Sequence, residues 1–243
     1  MTVSKVIARA LSSASQSKVK LSWLDLRGSG LSVLERLTLE EALLRHDPLK
    51  RCWGIIGSHD PYHNKIISLH GGTHGDDYVS PLVHNTNCAV VMGIGGHPKK
   101  LLDIDTTKSD GVLVLKRFSG GGTVVVDHSS LWTTFICRTD ALPHVKPYPR
   151  DIMKWSADAV FEPTFQLLNE EIKSQNQDVN VETPDFALKD NDYVFGDMKF
   201  GGNAQAIIGD GWLHHTSFLW DYVDGHMDYL LLPEKRPEYR GQR

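Results

Sequence analysis

What this sequence has little of narrows its class first. No apolar run approaches the roughly 20 residues of a bilayer-crossing helix, so no membrane partner is expected. Cysteine is scarce: Cys52, Cys88 and Cys137 are odd in number and lack metal-type spacing, which points to free thiols in a reducing compartment rather than a disulfide framework. Neither sign of charge dominates, with 26 Lys and Arg against 30 Asp and Glu and a net charge of −4, so no global basic field favours nucleic acid. Internal repeats and low-complexity tracts are also missing. At 243 residues the chain suits one large α/β domain, or one domain with a short appendage.

The N-terminus lacks acid. Asp25 is the first acidic residue, whereas Lys5, Arg9, Lys18 and Lys20 lie among many serines. Val3, Val6, Ile7, Ala10 and Leu11 fall on one side of a helix, with Arg9 off that stripe. This is the composition of an organellar transit peptide, mitochondrial ahead of plastid; a polar, frayed terminus of a cytoplasmic protein is the alternative.

Ser32 to His46 carries the clearest helical signal. Ser32 and Glu35 offer a capping box, Leu31, Leu34, Leu37, Leu43 and Leu44 recur at helical intervals, and His46-Asp47-Pro48 stops the run. Trp53 to Ile56, Ala89 to Met92, Val112 to Leu115, Thr123 to Val126 and Thr133 to Cys137 read as strands. Between the first two lies a long polar segment, 57–87, with His59, His63, His70, His74 and His84. Two pairs are spaced by four, but without a helical apolar pattern a solvated loop is the better reading than a metal site. Pro149 to Leu168 is a second helical stretch that Pro163 is expected to kink or divide, and Glu170 to Asp185 reads as a loop. Strand-like segments then run from Phe186 to Trp220. The pattern predicts an α+β fold, with helices packed on one side of a mixed β-sheet.

Two glycine-containing strips carry the chemistry. Arg117-Phe118-Ser119-Gly120-Gly121-Gly122-Thr123 leads straight into Val124-Val125-Val126. Three consecutive glycines between apolar strands lose much backbone entropy, and close approach of a ligand to bare N–H groups is the usual compensation. The flanking arginine suits carboxylate or phosphate, although a glycine-rich hairpin or bulge is the plain alternative. Asp197-Met198-Lys199-Phe200-Gly201-Gly202-Asn203-Ala204-Gln205 places a lysine before a Gly-Gly pair, and His214-His215-Thr216 follows shortly.

Together these strips resemble the lipoate–protein ligase A family, within the wider group of biotin and lipoate ligases and octanoyltransferases. The matching pieces are Leu39 to Arg45, the Arg117–Thr123 loop, Asn191-Asp192, Lys199 with Gly202 to Gln205, His214 to Thr216, and the closing Leu232 to Arg240 strip. The order is the family's across roughly residues 31 to 240. The resemblance implies a catalytic domain over 31–243 without a C-terminal accessory domain, preceded by an extension over 1–30. It also implies ATP, Mg²⁺ and lipoate as cofactors and substrate. The expected partner is a lipoyl-carrier domain of a 2-oxoacid dehydrogenase or the glycine cleavage H protein, with a helper subunit or domain as a further partner.

By the same resemblance Lys199 is the catalytic residue, stabilising negative charge on the acyl carbonyl and phosphate. Arg117, Ser119, Gly120, Gly121, Gly122, Thr123, His128, Gly202, Asn203, Ala204 and His215 match positions around lipoate or lipoyl-AMP. Asn191, Lys199 and Gln205 match nucleotide contacts, and Asp192 is the metal contact. On the residues alone, Asn191 and Asp192 are equally turn residues, and His128 and His215 are equally structural. Two departures stand out: Lys116-Arg117 where the family often has Arg-Arg, and Ser129-Ser130-Leu131 where it commonly has Gly-x-Leu. A lipoyl- or octanoyltransferase fed by a preactivated donor is the first alternative, and a non-catalytic module binding acyl-adenylate or carrier domain is the second. A thioester route is disfavoured, since no cysteine occurs after Cys137.

Overall fold

The computed structural model describes residues 19–59, 88–175, 185–221 and 223–231. Expectations that rest on residues 1–18, on His63, His70, His74 and His84, or on the closing strip lie outside the described residues. Chain order runs β1 (Leu21–Asp25), α1 (Val33–His46), β2 (Cys52–Ser58), β3 (Ala89–Met92), and the short helices α2 (Pro98–Leu101) and α3 (Ile104–Ser109). There follow β4 (Leu113–Lys116), β5 (Val124–Val126), β6 (Ser130–Arg138) and α4 (Pro149–Ser156). A π-helical turn (Ala157–Phe161) leads into α5 (Glu162–Gln175). The chain closes with β7 (Phe186–Lys189), β8 (Asp192–Phe195), β9 (Met198–Ile208), β10 (Gly211–Leu219) and a 3-10 turn (His226–Tyr229).

The strands form two sheets. Seven make a large one in the order β1-β2-β6-β10-β9-β8-β7, and β4-β3-β5 make a small one. Each is mixed. In the large sheet β1 and β2 are parallel, joined through α1 as a crossover, and the remaining pairs are antiparallel. The small sheet pairs β3 parallel to β4 and antiparallel to β5. The α+β class with mixed sheets is therefore as expected. The helices, however, cover both faces of the large sheet rather than one. Strand alternation explains this: Phe135 and Cys137 of β6 pack with Ile152, Val160 and Phe161 of the α4–α5 run, while Ile136 between them packs with Leu44 of α1.

Helix α1 starts where its capping residues dictate. Ser32 Oγ accepts from the Glu35 N–H at 3.1 Å, and Glu35 Oε2 accepts from the Ser32 N–H at 2.8 Å. At the other end Arg138 donates to the carbonyls of Leu43 and Leu44 at 3.0 and 2.8 Å, satisfying acceptors that the helix itself cannot. The second helical stretch departs from expectation. It runs unbroken through Pro163 to Gln175, so the residues from Glu170 to Gln175 are helix rather than loop. Just ahead of the proline, the Glu162 N–H reaches back to Ala157 O in the wider π pattern, and this turn absorbs the irregularity.

Ser32→Ala is expected to lower the unfolding free energy by about 1 kcal/mol, the usual cost of a lost N-cap. Urea denaturation with an unchanged m-value would confirm it.

Candidate functional site

A cleft of 1140 Å³ opens where the small sheet's glycine loop meets β9 and β10. The Gly120 N–H donates to Gln205 O at 2.8 Å, and this bond joins the loop to the large sheet. Gly93, just after β3, lies against the same loop: a Cβ there would stand 2.3 Å from Gly121 O. Gly121 takes φ +100, and a side chain at that position would also strike Arg117 and the Asn203 carbonyl. Close backbone approach thus requires Gly121 of the three loop glycines, and Gly93 opposite it. Among the described residues, the Gly121 and Gly122 N–H groups have no protein acceptor, so the loop offers donors to a ligand after Gly120 has spent its own.

Arg117 does something the sequence did not suggest. Rather than projecting freely toward an anion, its guanidinium is buried and donates to the carbonyls of Val91, Gly120 and Gly122 at 2.8–3.3 Å. It is a strut that shapes the loop from behind. Burial pulls its pKa down to about 10, which leaves it protonated at neutral pH. No carboxylate among the described residues pairs with it, so the cleft wall holds an unneutralised cation.

Lys199 reaches the cleft because of a β-bulge. Tyr193 pairs with Gly201 but Val194 pairs with Lys199, so Phe200 is an extra residue in β9. Strict alternation would put Lys199 on the face of Gly201 and Asn203. The bulge moves it to the opposite face, where its Nζ lies 2.9 Å from Asp192 Oδ1 and 3.8 Å from where a Gly202 Cβ would be. Phe200 turns instead into the aromatic core against Phe195, Phe165 and Phe218.

Behind the cleft lies a buried polar line whose anchor, Glu40, sequence reading missed. Glu40, wholly buried on α1, holds His215 Nε2 at 2.5 Å and accepts from Thr134 Oγ1 at 2.8 Å. His215 Nδ1 in turn lies 3.3 Å from Ser119 Oγ in the glycine loop. Burial works to raise the Glu40 carboxyl, yet His215, Arg36 and Thr134 together hold it below its ordinary value. A signal for Glu40 existed: it falls three residues after Leu37 and four before Leu44, on the apolar stripe of α1. On the opposite face of β10, His214 Nδ1 accepts from the Gln205 amide at 3.0 Å, and its Nε2 faces Ser156, Thr216 and Tyr193 hydroxyls. Burial and the neighbouring His215 depress His214 to about 3, so it is neutral.

Of the predicted site residues, Arg117, Gly120 to Thr123, Asn191, Asp192, Lys199, Gly202 to Gln205 and His215 line the cleft. Ser119 is fully buried beneath it. Asn203 and Gln205 are engaged by Thr216 and His214, so their amides brace β9 and β10. His128 stands apart from the others: it is exposed on the turn before β6 and is not among the residues that line the cleft. Its neighbour Asp127 has the structural task, holding His226 Nδ1 at 2.9 Å and so fastening the 3-10 turn that contributes Met227 and Asp228 to the rim. The short Asp127–Ser130 turn, with serine at the position that departs from the family's Gly-x-Leu, closes as Ser130 Oγ accepts from the Asp127 N–H and Asp127 Oδ1 accepts from the Ser129 N–H. Cys137 packs on the α4–α5 side and does not border the cleft.

Comparison with known proteins gives consistent matches. Residues 63–243 match the family model described as the lipoyl protein ligase A/B catalytic domain. A Plasmodium falciparum (isolate 3D7) protein named inactive lipoate–protein ligase 2 is 30% identical over 178 residues, 66% of this chain and 46% of that protein. The chain therefore spans about half the length of this curated relative. Among solved structures, a lipoate-protein ligase A bound with ATP superposes with a TM-score of 0.55 at 17% identity, over 89% of this chain and 72% of that one. A bipartite lipoate protein ligase of Thermoplasma acidophilum, from a study that includes its E2 lipoyl domain, gives 0.50 at 17%, over 90% and 69%. At these identities the two structures establish the shared fold.

Gly93→Ala is expected to displace the glycine loop and weaken ligand binding at least about tenfold while far-ultraviolet circular dichroism stays native, a loss of about 1.4 kcal/mol. Unfolding free energy should also fall as pH drops below 6.5. His214 binds a proton at 6.5 when unfolded but only near 3 when folded, so acid favours the unfolded chain across that window. Glu40 adds a loss of the same sign at lower pH, as acid protonates its depressed carboxyl. Denaturation curves at pH 7, 6 and 5 test the slope.

Proposed function

The chain belongs to the lipoyl protein ligase A/B catalytic domain family, and from that premise we propose that it attaches a lipoyl group to a lysine of a lipoyl-carrier domain through lipoyl-adenylate. The observation that carries this reading is the bulge-directed Lys199, held beside Asp192 in a cleft that also contains unpaired glycine-loop N–H groups and an unneutralised buried arginine. Such a wall favours an anionic ligand.

In the first step the lipoate carboxylate attacks the α-phosphate of ATP and pyrophosphate leaves. In the second, the carrier lysine amine attacks the acyl carbonyl and AMP leaves with the bonding electrons. Lys199 supplies a compact ammonium that follows the negative charge from phosphate oxygen to carbonyl oxygen, and Arg117 keeps the loop donors aimed. Apolar residues such as Leu37, Val91 and Trp132 give the acyl tail a water-poor slot. Among the described residues no group of three His, Cys, Asp or Glu side chains could cage a metal. Mg²⁺ commonly takes one or two carboxylates plus substrate phosphates, so Asp192 fits as its protein anchor. That ion would neutralise phosphate charge.

The Lys199–Asp192 ion pair also favours a second reading, in which the cleft binds an acyl-adenylate without turnover, because the ammonium already has a partner. Transfer from a preformed lipoyl-adenylate is the intermediate case. The basic, serine-rich N-terminus supports mitochondrial import. Recovery of the mature organellar protein with residues 1–20 intact would remove that last idea.

The test combines pyrophosphate release from ATP, Mg²⁺ and lipoate with mass spectrometry of an added lipoyl domain. Release with lipoylation is expected for the ligase, and Lys199→Ala should lose about 10²–10³-fold in rate while keeping its fold. Modification only from supplied lipoyl-adenylate would reassign the chain as a transferase. Binding without modification would leave the non-catalytic module.

A further inference from the structure

Two thiols that no step of this chemistry uses lie side by side in the large sheet. Cys52 opens β2 and Cys137 is the penultimate residue of β6. The antiparallel register that sets Trp53 opposite Ile136, continued by one residue, sets these cysteines opposite each other. Both face the α4–α5 core, 5% and 0% exposed. Opposed Cα atoms in antiparallel strands stand about 4.5–5.5 Å apart, inside the window of about 4.4–6.8 Å that a disulfide spans. Both are free thiols here.

Their surroundings differentiate them. A hydrogen bond from Cys137, then the Arg138 N–H at 3.3 Å and the nearby Arg138 charge, bring Cys52 down to about 7 against the opposing effect of burial. Cys137, wholly buried, is raised well above its ordinary value. Cys52 also follows the exposed Arg51, so it is the more reachable sulfur. Cys88 belongs to the small-sheet core instead, and burial pushes it up to about 11.

We propose that Cys52 and Cys137 are a redox modification site, forming a reversible cross-strand disulfide by exchange with a low-molecular-weight disulfide. The Cys52 thiolate attacks one sulfur of that reagent, giving a mixed disulfide and releasing one thiolate. Cys137 gives up its proton and attacks the Cys52 sulfur, releasing the second thiolate. Two protein thiols are oxidised and one disulfide is reduced to two thiols. The new bond fastens β2 to β6 beside Arg138, whose guanidinium holds the last carbonyls of α1. It closes a long loop of chain and so stabilises the folded state.

The full-length protein is equilibrated with glutathione disulfide and glutathione at graded ratios, then quenched in acid, alkylated and peptide-mapped. A linked Cys52–Cys137 peptide pair is expected, with Cys88 alkylated and the thermal midpoint raised by several degrees until dithiothreitol reverses it. Cys137→Ser should stop at one glutathione on Cys52. Cys52→Ala, the second variant should the first fail to fold, should leave Cys137 unmodified. Full alkylation of both thiols at every ratio, or a link that forms only in denaturant, would overturn the proposal. Neither readout depends on lipoate chemistry.

Discussion

A carboxylate taken wholly out of water must be held by other groups, and Glu40 is held by three elements at once. It rides on α1, accepts from Thr134 of β6 and pairs with His215 of β10, which in turn touches Ser119 of the glycine loop. Helix, sheet and loop are therefore mutually located by one buried charge. Such a group stabilises a fold only while its partners are complete; removing one leaves a desolvated charge that costs far more than the pair contributes. This explains why an arrangement of backbone donors, with no side chain of its own, stays in shape beside an open cleft.

The same logic runs through Arg117. A guanidinium with several donors in a rigid fork is suited to gathering carbonyls from different segments, and here it draws together Val91, Gly120 and Gly122. Its charge remains, but its geometry is spent on the protein. An anion in the cleft would therefore meet the N–H groups and Lys199, with the arginine contributing through the field it adds to the wall.

Much of this was legible in the sequence where the governing contacts are local. Ser32 and Glu35 announce the start of α1 because a capping box spans only four residues. Val124 to Val126 and Ala89 to Met92 are strands by composition alone. What stayed hidden depends on distant pairing. Nothing local distinguishes strands of the small sheet from those of the large one, so β4 and β5 could not be separated from β6. The bulge at Phe200 was likewise invisible, because the side of the sheet that Lys199 takes depends on how β9 pairs with β8. Glu40 was missed for a different reason: a glutamate on a helix is ordinarily read as solvated, and only its coincidence with Leu37 and Leu44 marks it as buried.

The π-helical turn at Ala157–Phe161 has a consequence for how sequences of this kind can diverge in length. A π turn amounts to one residue inserted into an α-helix. It takes up that residue locally, so the turns on either side stay in phase; deleting a residue from the regular helix between it and Phe165 would instead swing everything beyond by about 100°. Phe165, which stacks on Phe186 at 5.2 Å and meets Phe200 and Phe218 edge-on, would leave its cluster. Because Phe200 is the residue squeezed out by the β9 bulge, the length of a helix remote in sequence from Lys199 bears on the orientation of that lysine. Insertions and deletions in the regular helix beyond this turn are therefore under a constraint that substitution alone does not reveal.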